Sequence, residues 1–122
     1  MLTLPKNMRY ISTRGGISST SFEEVVCQGI APDEGLYIPE QLPVFDYKYF
    51  LKEDVTYSDV VLGIFKAFEL PFEEREMKTW IKDSYDSFSQ KNPAPIHFLD
   101  EKIGVLELFH GPTWAFKDMA LQ

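Results

Sequence analysis

The chain has 122 residues, of which 44% are hydrophobic and 15% aromatic, a composition that supports a folded core and excludes a disordered or low-complexity polymer. Twelve basic against nineteen acidic residues leave a net charge of −7, which argues against a nucleic-acid or anionic-membrane surface, since both require clustered Lys and Arg. A lone Cys27 permits no internal disulfide, no Cys/His spacing suits a metal site, and no apolar run reaches the roughly 20 residues that span a bilayer, so a reducing, cytoplasmic setting is expected.

Met1–Asn7 is too short and too weakly apolar for a secretory signal and lacks the Arg-rich character of a transit peptide, so it reads as a loose lead-in. Met8–Ser12 alternates as a short strand, broken by Gly15-Gly16. Ser21 with Glu24 forms a capping box, and Phe22, Val25 and Val26 with Gly29 behind them predict a helix over 22–28, in which Cys27 is expected to be a small core residue. Pro32-Asp33-Glu34-Gly35 is a turn with Pro second, and Leu36-Tyr37-Ile38 is a small strand stopped by Pro39.

Thr56 with Asp59 offers a second cap, after which Tyr57, Val60, Val61, Ile64, Phe65 and Phe68 recur at helical spacing. Pro71 restarts the chain into another amphipathic helix, where Met77, Trp80, Ile81, Tyr85 and Phe88 line a core face and Glu74 pairs with Lys78 on the other. Asn92-Pro93-Ala94-Pro95 ends that helix and marks the best internal boundary. Beyond it, 96–99 and 103–109 flank Asp100-Glu101-Lys102 as a hairpin. No repeat or low-complexity tract is present.

The chemistry is concentrated near the end, in Glu107-Leu108-Phe109-His110-Gly111-Pro112-Thr113-Trp114-Ala115-Phe116-Lys117-Asp118. A strand pattern turns at Gly-Pro and delivers one lysine into an apolar helix start. Partial desolvation there is expected to lower the amine's pKa and make it a nucleophile able to form a Schiff base. Taken alone, a lysine in such a place is more often a solvated residue. Thr113 reads equally well as a hydrogen-bond donor to a ligand or as the N-cap of the helix. His110 is a candidate for orienting a carboxylate or phosphate, although a histidine ending a strand is more often structural. Asp118 suits the first helical turn, where its charge meets the helix dipole. Ser12-Thr13-Arg14-Gly15 combines two hydroxyls, a guanidinium and a flexible backbone, which makes it an anion-binding candidate; pairing of Arg14 with a carboxylate in the interface between domains is the alternative.

The spacing of Glu107, Thr113 and Ala115-Phe116-Lys117-Asp118 resembles the cofactor-lysine signature of the serine/threonine-dehydratase group of fold-type-II pyridoxal-phosphate enzymes. The longer run from Leu108 to Asp118 is similar to that of the threonine synthase family. So are Arg9-Tyr10-Ile11-Ser12-Thr13-Arg14-Gly15, Ser21-Phe22-Glu23-Glu24 and Gln28 to Pro39, which match that family's opening in content and order. Nearly the whole chain is covered.

The resemblance implies an α+β N-terminal domain over 1–95, followed over 96–122 by the first strands and helix of an α/β fold-type-II pyridoxal-phosphate domain. The chain is therefore expected to be part of a longer enzyme and inactive alone. It further implies a lyase of threonine biosynthesis that converts O-phospho-L-homoserine and water to L-threonine and phosphate. Lys117 would hold pyridoxal phosphate as a Schiff base and shuttle protons, with Phe116 and Thr113 beside the cofactor and Ser12, Thr13, Arg14 and His110 as candidates for the substrate or its phosphate. No metal is implied. Two other readings stay open: a threonine synthase-like phospholyase acting on a phosphorylated amino alcohol or hydroxy-amino acid, and a non-catalytic interaction module.

Overall fold

The computed structural model of the protein describes residues 8–122, and the lead-in expected over Met1–Asn7 lies outside the described residues. The chain divides into two compact units, one running to Tyr47 and including Gly63–Phe72, the other made of Lys48–Leu62 and Glu73–Gln122. The prolines at 93 and 95 therefore lie inside the second unit.

In the first unit, β1 (Tyr10–Ser12) pairs antiparallel with β2 (Tyr37–Pro39), Tyr10 opposite Pro39 and Ser12 opposite Tyr37. Proline is tolerated there because it closes the strand, where no ladder donor is needed. Between the strands, α1 (Phe22–Gln28) starts in the expected capping box of Ser21 and Glu24 and ends at Gly29, whose φ of 71° only glycine adopts without strain. Phe22 lies between Tyr10, at 6.3 Å, and Phe72, at 5.9 Å edge-on, and this aromatic row joins the strand pair to the helix. Glu34 N–H donates to the Ala31 carbonyl at 2.8 Å, so the turn forms with Pro32 second, as its sequence predicts. Cys27 departs from expectation: it is exposed. At 3.6 residues per turn, a residue two places beyond Val25 points away from the face that Phe22 and Val25 present.

Two helices are divided between the units: α2 (Tyr47–Phe50), a single turn the sequence did not announce, and α3 (Tyr57–Ala67). The second starts as expected. Thr56 N–H donates to Asp59 Oδ2 at 2.9 Å, while Asp59 N–H donates to Thr56 Oγ1 at 3.2 Å, a reciprocal pair that satisfies donors a helix start leaves open.

The second unit is organised on α4 (Glu74–Tyr85), whose Met77 and Ile81 are buried at i,i+4 with Phe88 just beyond the helix. Trp80, expected on the same stripe, is 45% exposed, because one residue before Ile81 is about 100° round the helix and carries the ring to the rim. Lys78 pairs with Glu74 at 2.6 Å on the outer face. The hairpin forms as predicted, β3 (Ile96–Phe98) antiparallel to β4 (Gly104–Leu106). Asp100 closes its turn by accepting from Lys102 N–H at 2.7 Å and Ile103 N–H at 2.8 Å, an Asx device. The result is a small α+β assembly in which no sheet among the described residues exceeds two strands. No helix among them is long and apolar enough to cross a membrane.

The last helix, α5 (Asp118–Leu121), is tied to the end of α4. Tyr85 Oη donates to the Met119 carbonyl at 3.0 Å, and Ser84 Oγ to the Gln122 carbonyl at 3.2 Å. These bonds satisfy carbonyls that so short a helix cannot pair internally. Tyr85 also meets Tyr57 and Phe88 edge-on at 5.1 and 5.2 Å. Burial, with a hydrogen bond to Tyr57, pushes its pKa from 10.0 up to about 12. A tyrosine whose folded pKa is raised contributes stability below the unfolded value, and loses it as pH climbs towards the folded one. Unfolding monitored by circular dichroism should show stability falling between pH 10.0 and about 12, and Tyr85→Phe should remove that component of the fall.

Candidate active site

Strand β4 leads through Glu107, whose N–H donates to the Pro95 carbonyl at 3.0 Å, to His110, whose carbonyl accepts from Ser89 N–H at 2.9 Å. His110 is thereby fixed at both ends of its ring: Nε2 lies 2.7 Å from Glu107 Oε2 and Nδ1 3.3 Å from Ser89 Oγ. Nothing in the sequence pointed to Ser89, which stands 21 residues away.

After Gly111 the backbone makes two successive turns. Trp114 N–H donates to the Gly111 carbonyl and Asp118 N–H to that of Ala115, both at 3.1 Å. Trp114 takes a φ of 61°, unusual for a bulky residue and a conformation that surrounding contacts must hold. Trp114 and Phe116 are 81% and 67% exposed, and Ala115 and Lys117 are exposed too. The partial desolvation of Lys117 expected from its apolar neighbours is thus not provided by this chain: the turns carry those neighbours outward with the lysine instead of closing them over it. Among the described residues the Lys117 amine has neither a hydrogen-bond nor an ion-pair partner.

Thr113 is not the N-cap of α5; Lys117 holds that position without a side-chain cap. The Thr113 hydroxyl donates instead to Asp118 Oδ1 at 2.8 Å, and its N–H to Oδ2 at 2.8 Å. Asp118, expected only as a favourable charge at a helix start, is buried and joins the two ends of the lysine-bearing turn.

In the first unit, Ser12, Thr13 and Arg14 form a loop organised on Asp33. Ser12 is buried and its hydroxyl donates to Asp33 Oδ1 at 2.7 Å; Gly16 N–H donates to Oδ2 at 2.8 Å and Gly35 N–H to Oδ1 at 3.0 Å. Thr13 Oγ1 accepts from Leu36 N–H at 3.0 Å. The Ser12 hydroxyl and the Gly16 and Gly35 N–H groups are thus engaged by the chain itself, with Asp33 as the resident anion. Arg14 stays exposed, its guanidinium 3.4 Å from Glu34. Asp33 was legible only as a turn residue, because its partner Ser12 lies 21 positions earlier. This loop and the Lys117 turn belong to different units, and each is described by itself.

A family model described as threonine synthase N terminus matches residues 9–85. The chain belongs to that family. A threonine synthase of Pseudomonas aeruginosa is 39% identical over 94% of the chain and 25% of its own length. One of Schizosaccharomyces pombe is 37% identical over 98% of the chain and 24% of its own length, and a threonine synthase-like 2 of Xenopus laevis is 34% identical over 93% and 25%. Among solved structures, a pyridoxal-phosphate-bound threonine synthase of Brucella melitensis superposes with a TM-score of 0.83 at 33% identity, over 91% of this chain and 24% of that one. The chain thus spans about a quarter of the length of the relatives it matches. The family model covers the Asp33 loop; Lys117 and its turn lie beyond residue 85.

The Ser12 hydroxyl is the foremost of the bonds that hold the Asp33 carboxyl below its ordinary range, offset in part by desolvation. A carboxyl with a lowered folded pKa contributes stability above its unfolded value, and that contribution goes as pH falls through the folded one. A carbon-detected NMR titration should place the Asp33 inflection below that of a solvated aspartate, and Ser12→Ala should raise it. The same inflection in both proteins would contradict the arrangement.

Proposed function

We propose that the chain is the N-terminal quarter of a threonine synthase, a pyridoxal-phosphate-dependent carbon–oxygen lyase that converts O-phospho-L-homoserine and water to L-threonine and phosphate, with Lys117 as the cofactor lysine. The observation that carries this reading is an exposed lysine amine, unpartnered among the described residues, on a turn bonded across its ends, in a chain whose relatives bear that name over nearly its whole length. The residues present fit the cofactor at that amine: a primary amine able to condense with an aldehyde, next to an exposed Phe116 ring that can lie against a planar heterocycle. The cofactor, when bound, supplies the electron sink that lets protons leave carbon next to nitrogen.

The chain's own residues then bind and move protons. Lys117 would hold the cofactor through its amine and would take and return protons at the substrate's carbons. Thr113 acts on the site by holding its turn. His110, kept in place by Glu107 and Ser89, orients the segment ahead of the turn. Of the Ser12-Thr13-Arg14 group, Arg14 is the side chain best suited to an anion, its guanidinium exposed beside Glu34 while the two hydroxyls hold the loop. In this reading 1–95 forms the N-terminal domain of the enzyme and 96–122 begins the cofactor domain. The exposed free thiol of Cys27 suits a reducing, cytoplasmic compartment. The synthase reading is favoured over the alternatives because relatives of 37% and 39% identity are named threonine synthase, against 34% for the threonine synthase-like 2 of Xenopus laevis.

The full-length protein should release threonine and phosphate from O-phospho-L-homoserine, and Lys117→Ala should lower that rate about a hundredfold or more, the range expected when a proton-transferring group is removed. The 122-residue chain mixed with pyridoxal phosphate should show no turnover. Full-length protein that binds the cofactor equally well with Ala at 117 would defeat the assignment.

A further inference from the structure

Asp118 is the one buried charged residue among those described, 4% exposed. No cation pairs with it there. Three donors satisfy it instead: the Thr113 N–H at 2.8 Å, the Thr113 hydroxyl at 2.8 Å and the Gln122 side-chain amide at 3.2 Å. A carboxylate taken from water costs several kcal/mol unless such bonds replace its hydration. Its burial is therefore a constraint on the chain: Thr113 and Gln122 must sit where they do.

The packing around it is equally tight. A Cβ on Gly111 would fall 2.4 Å from Asp118 Cβ and 2.5 Å from its Oδ2, so the Gly-Pro turn closes on the carboxylate only because residue 111 has no side chain. With Gly111 and Thr113 pressed against Asp118 from one side and α5 continuing from the other, the intervening Trp114–Lys117 has one way to run. It bulges outward, with Trp114 held at its φ of 61°. The Asp118 bonds join the bulge's two ends, and the Trp114 N–H bond to the Gly111 carbonyl closes its first turn.

We propose that Asp118 is a positioning residue for Lys117: its buried carboxylate clips Thr113 to the start of α5, so that the lysine-bearing bulge is preorganised by this chain and does not await the cofactor. The clip acts through geometry, not charge. An asparagine can replace it, one oxygen accepting from the Thr113 N–H and its amide donating to the Thr113 hydroxyl, while the exposed Gln122 amide turns over to suit. Alanine leaves both Thr113 donors without a partner and frees the bulge. The inference rests on the cofactor role of Lys117.

The test uses the full-length protein and two readouts: hydrogen exchange of the Thr113 amide without cofactor, and the dissociation constant of pyridoxal phosphate from its visible absorption. Asp118→Ala should speed Thr113 exchange at least about tenfold and weaken cofactor binding by about tenfold to a hundredfold, the scale expected when a reacting group is displaced by an ångström or less. Asp118→Asn should restore both to within about threefold of wild type, the size of change left by imperfectly remade neutral bonds. Wild-type affinity in Asp118→Ala, or equal loss in the two variants, overturns the proposal. Should Asp118→Ala fail to fold, Thr113→Ala, which removes one bond and keeps the carboxylate, must raise the dissociation constant and leave it unchanged only if the proposal is wrong. Wild-type and Lys117→Ala proteins that both fail to bind the cofactor would overturn the functional reading itself, an outcome distinct from failure of the Asp118 variants alone.

Discussion

Backbone donors in tight turns have no ladder to join, and a turn near the inside of a protein must find them an acceptor. This chain meets that demand with carboxylates, at Asp100 in the hairpin turn and again at Asp33 and Asp118. Asp33 collects the Ser12 hydroxyl and the Gly16 and Gly35 N–H groups; Asp118 collects Thr113 twice and Gln122 once. Hydrogen bonds to a charged acceptor contribute about 1.5 to 3 kcal/mol each against about half that for neutral pairs. In a chain of short elements, such points decide loop conformation more than strand pairing does. The two-stranded ladders are each only three residues long, and by themselves hold little.

The apolar side of the account is correspondingly thin. Tyr10, Ala31, Met77, Ile81 and Phe88 are the buried hydrophobic residues among those described, while Phe98, Trp114, Phe116 and Leu121 all stay more than half exposed. Helix caps, Asx turns and buried carboxylates act locally and need no extended core, which explains why these elements can form with so little apolar surface withdrawn from water. It also explains why the hairpin and the lysine turn keep their shape while their apolar side chains face outward.

What the sequence revealed follows from the range of the interactions. The helix over 22–28, the cap at Thr56 and the hairpin around Asp100 were legible because donor and acceptor lie within three residues of each other. The family and the candidate lysine were legible from contiguous motifs. Cys27 and Trp80 sit outside the core that their hydrophobic character suggests, because each lies a step of about 100° or more round the helix from the more buried face. Thr113 was read as a cap or a ligand donor, since the sequence does not say which of two nearby acceptors a hydroxyl chooses. The Ser12–Asp33 and Ser89–His110 contacts each close a separation of 21 residues, and no local pattern encodes those.

The same distinction bears on how a cofactor lysine is made ready. Depressing an amine's pKa by burial requires an enclosing pocket, and here the neighbours that would line one are exposed. Fixing where the amine emerges draws on Gly111 to Gln122 and on the Tyr85 and Ser84 bonds that tie α5 to α4. Position and reactivity are thus separable tasks, and this chain performs the first. In the reading proposed for Lys117 the division suits the chemistry, because an exposed amine carried on a bonded turn can meet an aldehyde.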